Sequence, residues 1–209
     1  IPALFVKMFG DPATNPMGWP KSKLGEICLR TEQCNPEKNS TQKFQYIDIS
    51  GIDNVNKKIN KFQVILGAEA PSRARKKIRT SDVLVSSVRP NLNAVAIVPD
   101  YLDDGIASTG FCVLRANREI LDPTYLFSQI CSTYFINTMV SKARGANYPT
   151  VSDKDIKDTL IPLPPLHIQN HFADIMEAMQ ATVTHIDLGG QTIASLRTSL
   201  MSYLFGVAT

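Results

Sequence analysis

Apolar residues fall in short runs through the first half of the chain and in a seven-residue rhythm near its end. Tyr46-Ile47-Asp48-Ile49-Ser50 alternates with the period of a half-buried strand. Residues 62–66, 83–88, 94–98 and 111–115 are short runs rich in β-branched and aromatic side chains. Turn-forming sequences separate them: Gly51-Ile52-Asp53-Asn54, Arg89-Pro90-Asn91 and Asp103-Asp104-Gly105. Residues 21–115 are therefore predicted to be mainly short strands. The apolar residues 1–9 read as a helix. Three prolines and two glycines in residues 10–20 then forbid its continuation, which puts a boundary there.

Asp122-Pro123 has the chemistry of a helix start, with Asp as cap and Pro at the first helical position. Leu126, Phe127, Ile130, Tyr134 and Phe135 predict one helix with a single buried stripe, ending near Gly145. Ser152-Asp153-Lys154-Asp155 resembles a capping box and predicts a short helix to about Thr159. The prolines of residues 161–166 force an extended segment. Beyond it, Phe172, Met179, Ile186, Ile193, Leu200 and Val207 recur every seven residues. Three positions on from the first five stand Ile175, Thr182, Gly189, Leu196 and Tyr203. This is a coiled-coil-like seam with two weak rungs. Gly189-Gly190 could turn a hairpin. The heptad phase survives across it, which favours one helix from about His167 to Gly206, or roughly 60 Å. Residues 3–10 and 199–206 also form a weak repeat that shares only Leu, Phe and Gly. The expected fold is α+β: a mixed, mainly β body with a few helices, then a long coiled-coil-like helix.

The net charge of +3 conceals an asymmetry. Residues 158–209 hold one basic residue against four acidic ones, so the body carries 21 basic residues against 15 acidic. A basic body suits a polyanionic partner. Its charge is densest at Arg73, Arg75, Lys76, Lys77 and Arg79, expected on a surface loop. Two donor-rich turns follow. One carries Ser87, Arg89, Asn91 and Asn93; the other carries Arg144, Asn147 and Tyr148. Arg can grip the guanine edge bidentately, Asn the adenine edge, and either can hold phosphate. Each turn also has a plain alternative in local capping.

Catalytic chemistry is hard to find. Asp122-Pro123-Thr124-Tyr125 resembles the Asp-Pro-Pro-Tyr signature of adenine methyltransferases. Thr124 breaks it, and no glycine-rich loop accompanies it. His167 and His171 share a helical face but lack the Glu of a zinc protease. Cys28 and Cys34 have no partner pair, so no metal and no cofactor are expected. Four scattered cysteines, no apolar run of spanning length and no signal-peptide pattern point to the cytoplasm, without a membrane.

The order of several stretches resembles one half of the DNA specificity subunit of a Type I restriction–modification system. They are Met8-Phe9-Gly10-Asp11-Pro12 with Asn15-Pro16-Met17-Gly18-Trp19-Pro20; Pro71-Ser72-Arg73-Ala74-Arg75-Lys76; and residues 82–90, Asp82 to Pro90. Ala107-Ser108-Thr109-Gly110-Phe111, Pro149-Thr150-Val151-Ser152 and Ile161-Pro162-Leu163-Pro164-Pro165-Leu166 complete the series. The resemblance implies a non-catalytic subunit that reads half of a split DNA target. It also implies partners: double-stranded DNA, modification (methyltransferase) subunits and a restriction subunit. Residues 1–18 then correspond to the remnant of one conserved helix and a linker, 19–164 to a target-recognition domain, and 165–209 to a conserved spacer helix. Phe172, Ile175, Met179, Ile186, Ile193, Leu196 and Leu200 are expected to form the seam of a homodimer. Two other readings remain: a recognition fragment of a fused restriction–methylation enzyme, and a coiled-coil interaction or inhibitor module.

Overall fold

The computed structural model describes residues 3–188 and residue 200. In chain order the body contains α1 (Ala3–Phe9), β1 (Lys21–Lys23), α2 (Leu24–Ile27), β2 (Cys28–Leu29), β3 (Lys43–Ile47), β4 (Ile52–Asp53), β5 (Lys58–Ile59), β6 (Gln63–Leu66) and β7 (Ala74–Lys77). It continues through β8 (Val83–Ser86), β9 (Val95–Ile97), β10 (Ile106–Ser108), β11 (Phe111–Ala116), α3 (Pro123–Ile130), α4 (Thr133–Lys142), α5 (Asp153–Lys157), β12 (Leu160–Pro162) and α6 (Leu166–Leu188). This is a mixed α+β fold, mostly strands with a few helices.

Two four-stranded sheets organise it, with strand orders β2-β11-β8-β9 and β6-β3-β10-β7. The first is wholly antiparallel; in the second, β3 and β10 run parallel. The residue order of β8 and β11 shows why Val83–Val85 and Phe111–Leu114 are apolar at every position. Val83, Val85, Cys112 and Leu114 join one core with the helices, whereas Leu84, Phe111 and Val113 join a second core. A strand buried on both faces needs apolar residues at every position.

At one end of the inner strands β8 and β11, Arg115 donates to both carboxylate oxygens of Asp82, at 2.9 and 2.8 Å. Asp82 is only 1% exposed and also accepts from the Arg79 amide. A buried carboxylate must have its lone pairs filled, and the planar guanidinium does so bidentately. The pairing holds the Arg115 pKa above its ordinary value.

Several sequence expectations are corrected. The helix predicted from Asp122 to about Gly145 is two helices. The start is as expected: the Asp122 carboxylate accepts from the amides of Thr124 and Tyr125. The chain then becomes extended at Ser132, whose hydroxyl accepts from the Phe135 amide and starts α4. A serine that bonds its own backbone competes with helix continuation. Residues 74–77, expected in a loop, are strand β7, paired with β10. Gly51-Ile52-Asp53-Asn54 is not itself the turn: Ile52–Asp53 pairs with Lys58–Ile59, and the turn lies between them. The capping box at Ser152 and Asp155 is present and opens α5.

The C-terminal helix leaves the body from a tightly built corner. The Gln169 side chain is buried, accepts from the Asp122 amide and donates to the carbonyls of Ile120 and Pro164. The Tyr125 hydroxyl donates to Pro162 O and accepts from Gln129. Around this network the rings of Phe5, Phe9, Tyr125 and Phe172 pack with centroids 4.8 to 5.7 Å apart. Phe172, expected on an intermolecular seam, is thus fully buried within the chain's own core. Ile168 and Met176, four positions to either side of it, pack against the same core. Ile175 and Met179 stay partly exposed on the adjoining face, and Leu200 is half-buried. The side chains of Ile186, Ile193 and Leu196, and the Gly189-Gly190 step, lie outside the described residues, as does most of the 199–206 repeat.

Candidate nucleic-acid interface

The basic cluster at residues 73–79 has its charges answered from within the chain. Arg73 stands 3.4 Å from Asp48, and Arg75 stands 3.7 Å from Glu37. Lys76 meets Asp153 at 2.6 Å, and Lys77 meets Asp104 at 2.9 Å. Arg79 reaches Asp104 at 2.6 Å and Asp103 at 4.0 Å. Strand alternation explains the division: Arg75 and Lys77 point to one side, and Lys76 to the other. Lys76 ties the sheet to the first residue of α5 with only 13% of its side chain exposed. Arg73 and Arg79 are the most open of the five, at 63% and 44%.

The two donor-rich turns meet in space. After β8 the backbone turns at Ser86, whose hydroxyl donates to Val88 O. The Ser87 hydroxyl and amide both donate to Gly110 O, anchoring the turn to the start of β11. The second turn is joined to the first by the Val151 amide donating to Ser87 O and the Arg89 amide donating to Pro149 O at 2.7 Å. Arg144 and Thr150 exchange backbone hydrogen bonds, which closes the second turn on itself. The guanidinium carbon of Arg89 lies 4.7 Å from the Tyr148 ring centroid, and Tyr148 is 67% exposed. Stacking on an aromatic face holds Arg89 without neutralising it.

Arg89 and Asn93 both have left-handed backbone, with φ of 49° and 46°, on either side of the turn Pro90–Leu92. A non-glycine residue held there costs about 1 kcal/mol or more and persists only where its surroundings impose it. Among the described residues no carboxylate stands within ion-pair distance of Arg89 or Arg144. Asn91, Arg144 and Asn147 are exposed, and Asn93 is partly so. The surface therefore offers two unpaired guanidinium groups, several amide side chains and one ring.

Lys57 adds a residue that the sequence did not single out. Its ammonium donates to Asn93 O at 2.6 Å, and burial pulls its pKa below the ordinary lysine value. Its signal in the sequence was the Asp53-Asn54 pair just before it, which marks a turn.

The remaining candidates carry no site chemistry. His167 and His171 are exposed on α6, and no metal-holding group of His, Cys, Asp or Glu occurs among the described residues. Burial pushes the thiols of Cys28, Cys112 and Cys131 up to about 12. Among the described residues no helix is long and apolar enough to cross a membrane.

The chain as a whole is similar to known proteins in sequence and in fold. A family model described as the Type I restriction modification DNA specificity domain matches residues 16–190. The Type I restriction enzyme HindI specificity subunit of Haemophilus influenzae is 23% identical over 197 residues, 90% of this chain and 40% of that protein. The putative type I restriction enzyme MjaX specificity subunit of Methanocaldococcus jannaschii is 24% identical over 193 residues, 88% of this chain and again 40% of its relative. The chain thus spans well under half the length of these two proteins. Among solved structures, the HsdS subunit from Thermoanaerobacter tengcongensis is 46% identical with a TM-score of 0.71, covering 83% of this chain and 45% of that one. A chain from a structural study of complex assembly and conformational transition of the type I R-M system is 47% identical with a TM-score of 0.73. It covers 82% of this chain and 44% of its own length.

Proposed function

The chain belongs to the Type I restriction modification DNA specificity family, and from that membership we propose that it reads one half of a split DNA target as a non-catalytic subunit. The carrying observation is the Arg89–Tyr148 stack. It presents an unpaired guanidinium at a junction where two turns are locked together. Arg89 is assigned to a base edge, guanine O6 and N7 by its geometry. Asn91, Asn93, Asn147 and Tyr148 are assigned to neighbouring bases or sugars, and Arg144 to a phosphate. Ser87 positions the turn, because its hydroxyl is committed to Gly110. Of the basic strand, Arg73 and Arg79 are assigned to the DNA backbone, since their side chains are the most open. Arg75, Lys76 and Lys77 serve first to hold the sheet.

In this reading residues 19–164 are the recognition domain and residues 165–209 the spacer helix, with 1–18 as the preceding helix end and linker. The spacer carries the seam of Ile175, Met179, Ile186, Ile193, Leu196 and Leu200, covered by the same helix of a second copy. Modification and restriction subunits dock on the assembled pair. Buried Gln169 and the aromatic corner support a fixed angle between helix and reader.

Selection of bound duplexes from random DNA, by the chain and by Arg89→Ala, tests the assignment. The variant should lose discrimination at one base pair by about 2 kcal/mol and keep the rest of the half-site. An identical selected site for both chains would sink it. Light scattering tests the pairing: Leu196→Glu should convert a dimer to a monomer.

A further inference from the structure

Val55 is 70% exposed, the most open of the large apolar side chains among the described residues. It sits at the tip of the β4–β5 hairpin between Asn54 and Asn56, both exposed. The tip is held rigidly. One Asp53 carboxylate oxygen accepts from the amides of Val55 and Asn56, each at 2.9 Å. The other accepts from the side-chain amides of Asn56 at 2.9 Å and Asn60 at 3.0 Å. The Lys57 amide closes the turn on Asp53 O at 2.8 Å. At the base of the hairpin Ile52 and Ile59 are paired and buried in the second core. The Lys57 ammonium then ties the hairpin to Asn93 O, at the end of the turn that Arg89 begins.

A branched apolar side chain this exposed buries little area and adds little to folding, while the turn that carries it is held in place at the margin of a polar, cationic surface. Its backbone is already held by the Asp53 hydrogen bonds, so docking loses little further backbone entropy. The major-groove edge of DNA offers one apolar group, the thymine 5-methyl. We propose that the β4–β5 hairpin is a third reading element and that Val55 packs against the 5-methyl group of a thymine. This rests on the DNA-reading assignment above. Thymine is told from cytosine at that position by an apolar contact rather than a hydrogen bond, while Asp53 acts as the positioning residue that aims the tip.

The test compares the chain, Val55→Ala and Arg89→Ala by selection from random duplex DNA. Binding to the selected duplex is then measured with thymines replaced singly by uracil, which lacks the methyl. Burying one methyl-sized group is worth about a fourfold change in affinity. Val55→Ala should flatten a preference for thymine at one position by about that factor and leave the salt dependence unchanged. Uracil at that position should weaken the parent chain about fourfold and leave Val55→Ala unaffected. The inference is overturned if Val55→Ala selects the same site with the same preference, if the altered position is not a thymine, or if uracil weakens both chains equally. Should Arg89→Ala change the site while Val55→Ala does not, the hairpin assignment alone fails. Should neither change it, the reading surface itself fails.

Discussion

The chain carries cations in two arrangements. Residues 73–79 hold five, and every one faces a carboxylate of the same chain. The joined turns at residues 86–93 and 142–150 expose Arg89 and Arg144, and neither has a carboxylate within ion-pair distance among the described residues, although Asp155 feels the charge of Arg144. The denser cluster is thus the less available one. A cation already paired must give up that partner before it can neutralise a phosphate, so its gain on binding is the difference of two similar interactions. A cation stacked on a tyrosine keeps its full charge. Charge density along a sequence measures neither.

The largest effect expected lies with a cation more committed than either group. Removing the carboxylate in Asp82→Ala leaves the Arg115 guanidinium without its bidentate partner and should lower stability by about 3 kcal/mol. Urea unfolding followed by circular dichroism reads it directly, and a loss below about 1 kcal/mol would mean that solvent replaces the pair.

Salt dependence separates the two arrangements next. Arg144→Ala should reduce the slope of log affinity against log salt by about 0.9, the value of one phosphate contact on duplex DNA. Lys76→Ala should change that slope by less than half as much, because Lys76 is spent on Asp153. Equal changes would erase the distinction between paired and unpaired cations. Arg73→Ala and Arg79→Ala should fall between them, in line with their greater exposure.

The smallest effect concerns the hairpin that flanks the unpaired group. Hydrogen bonds from Asn56, Val55 and Asn60 hold the Asp53 carboxyl down from 3.8 to about 2. A folded value below the unfolded one gives support that is complete above the unfolded value and is lost as pH falls through the folded one. The turn should therefore keep its amide protection at pH 5 and loosen between pH 3.8 and about 2. Exchange of the Val55 and Asn56 amides, compared in the parent chain and Asp53→Asn, checks this. Protection that persists in Asp53→Asn at every pH would remove Asp53 from its positioning role.

Much of the architecture was legible along the chain. The apolar runs within residues 83–88, 94–98 and 111–115 became strands β8, β9 and β11, since burial on both faces favours apolar residues at successive positions. Asp122-Pro123 and the Ser152 capping box started helices where their chemistry placed them. These features depend on neighbours within a few residues, so local sequence decides them. The membership of Arg89 and Tyr148 in one surface could only be guessed. Each lies in a turn that is plausible by itself, and they stand 59 positions apart.

Local sequence therefore determined the most buried strands and the residues that cap helices, but not strand β7, whose four residues carry three cations. Tertiary structure alone decided which cations meet a carboxylate of the same chain. Whether a cation meets a carboxylate depends on strand pairing and on residues brought from far along the chain, as Lys76 meets Asp153. The same holds for Phe172, whose heptad position pointed outward to a partner. Phe5, Phe9 and Tyr125 enclose it because helix packing gathered four rings from three separate segments.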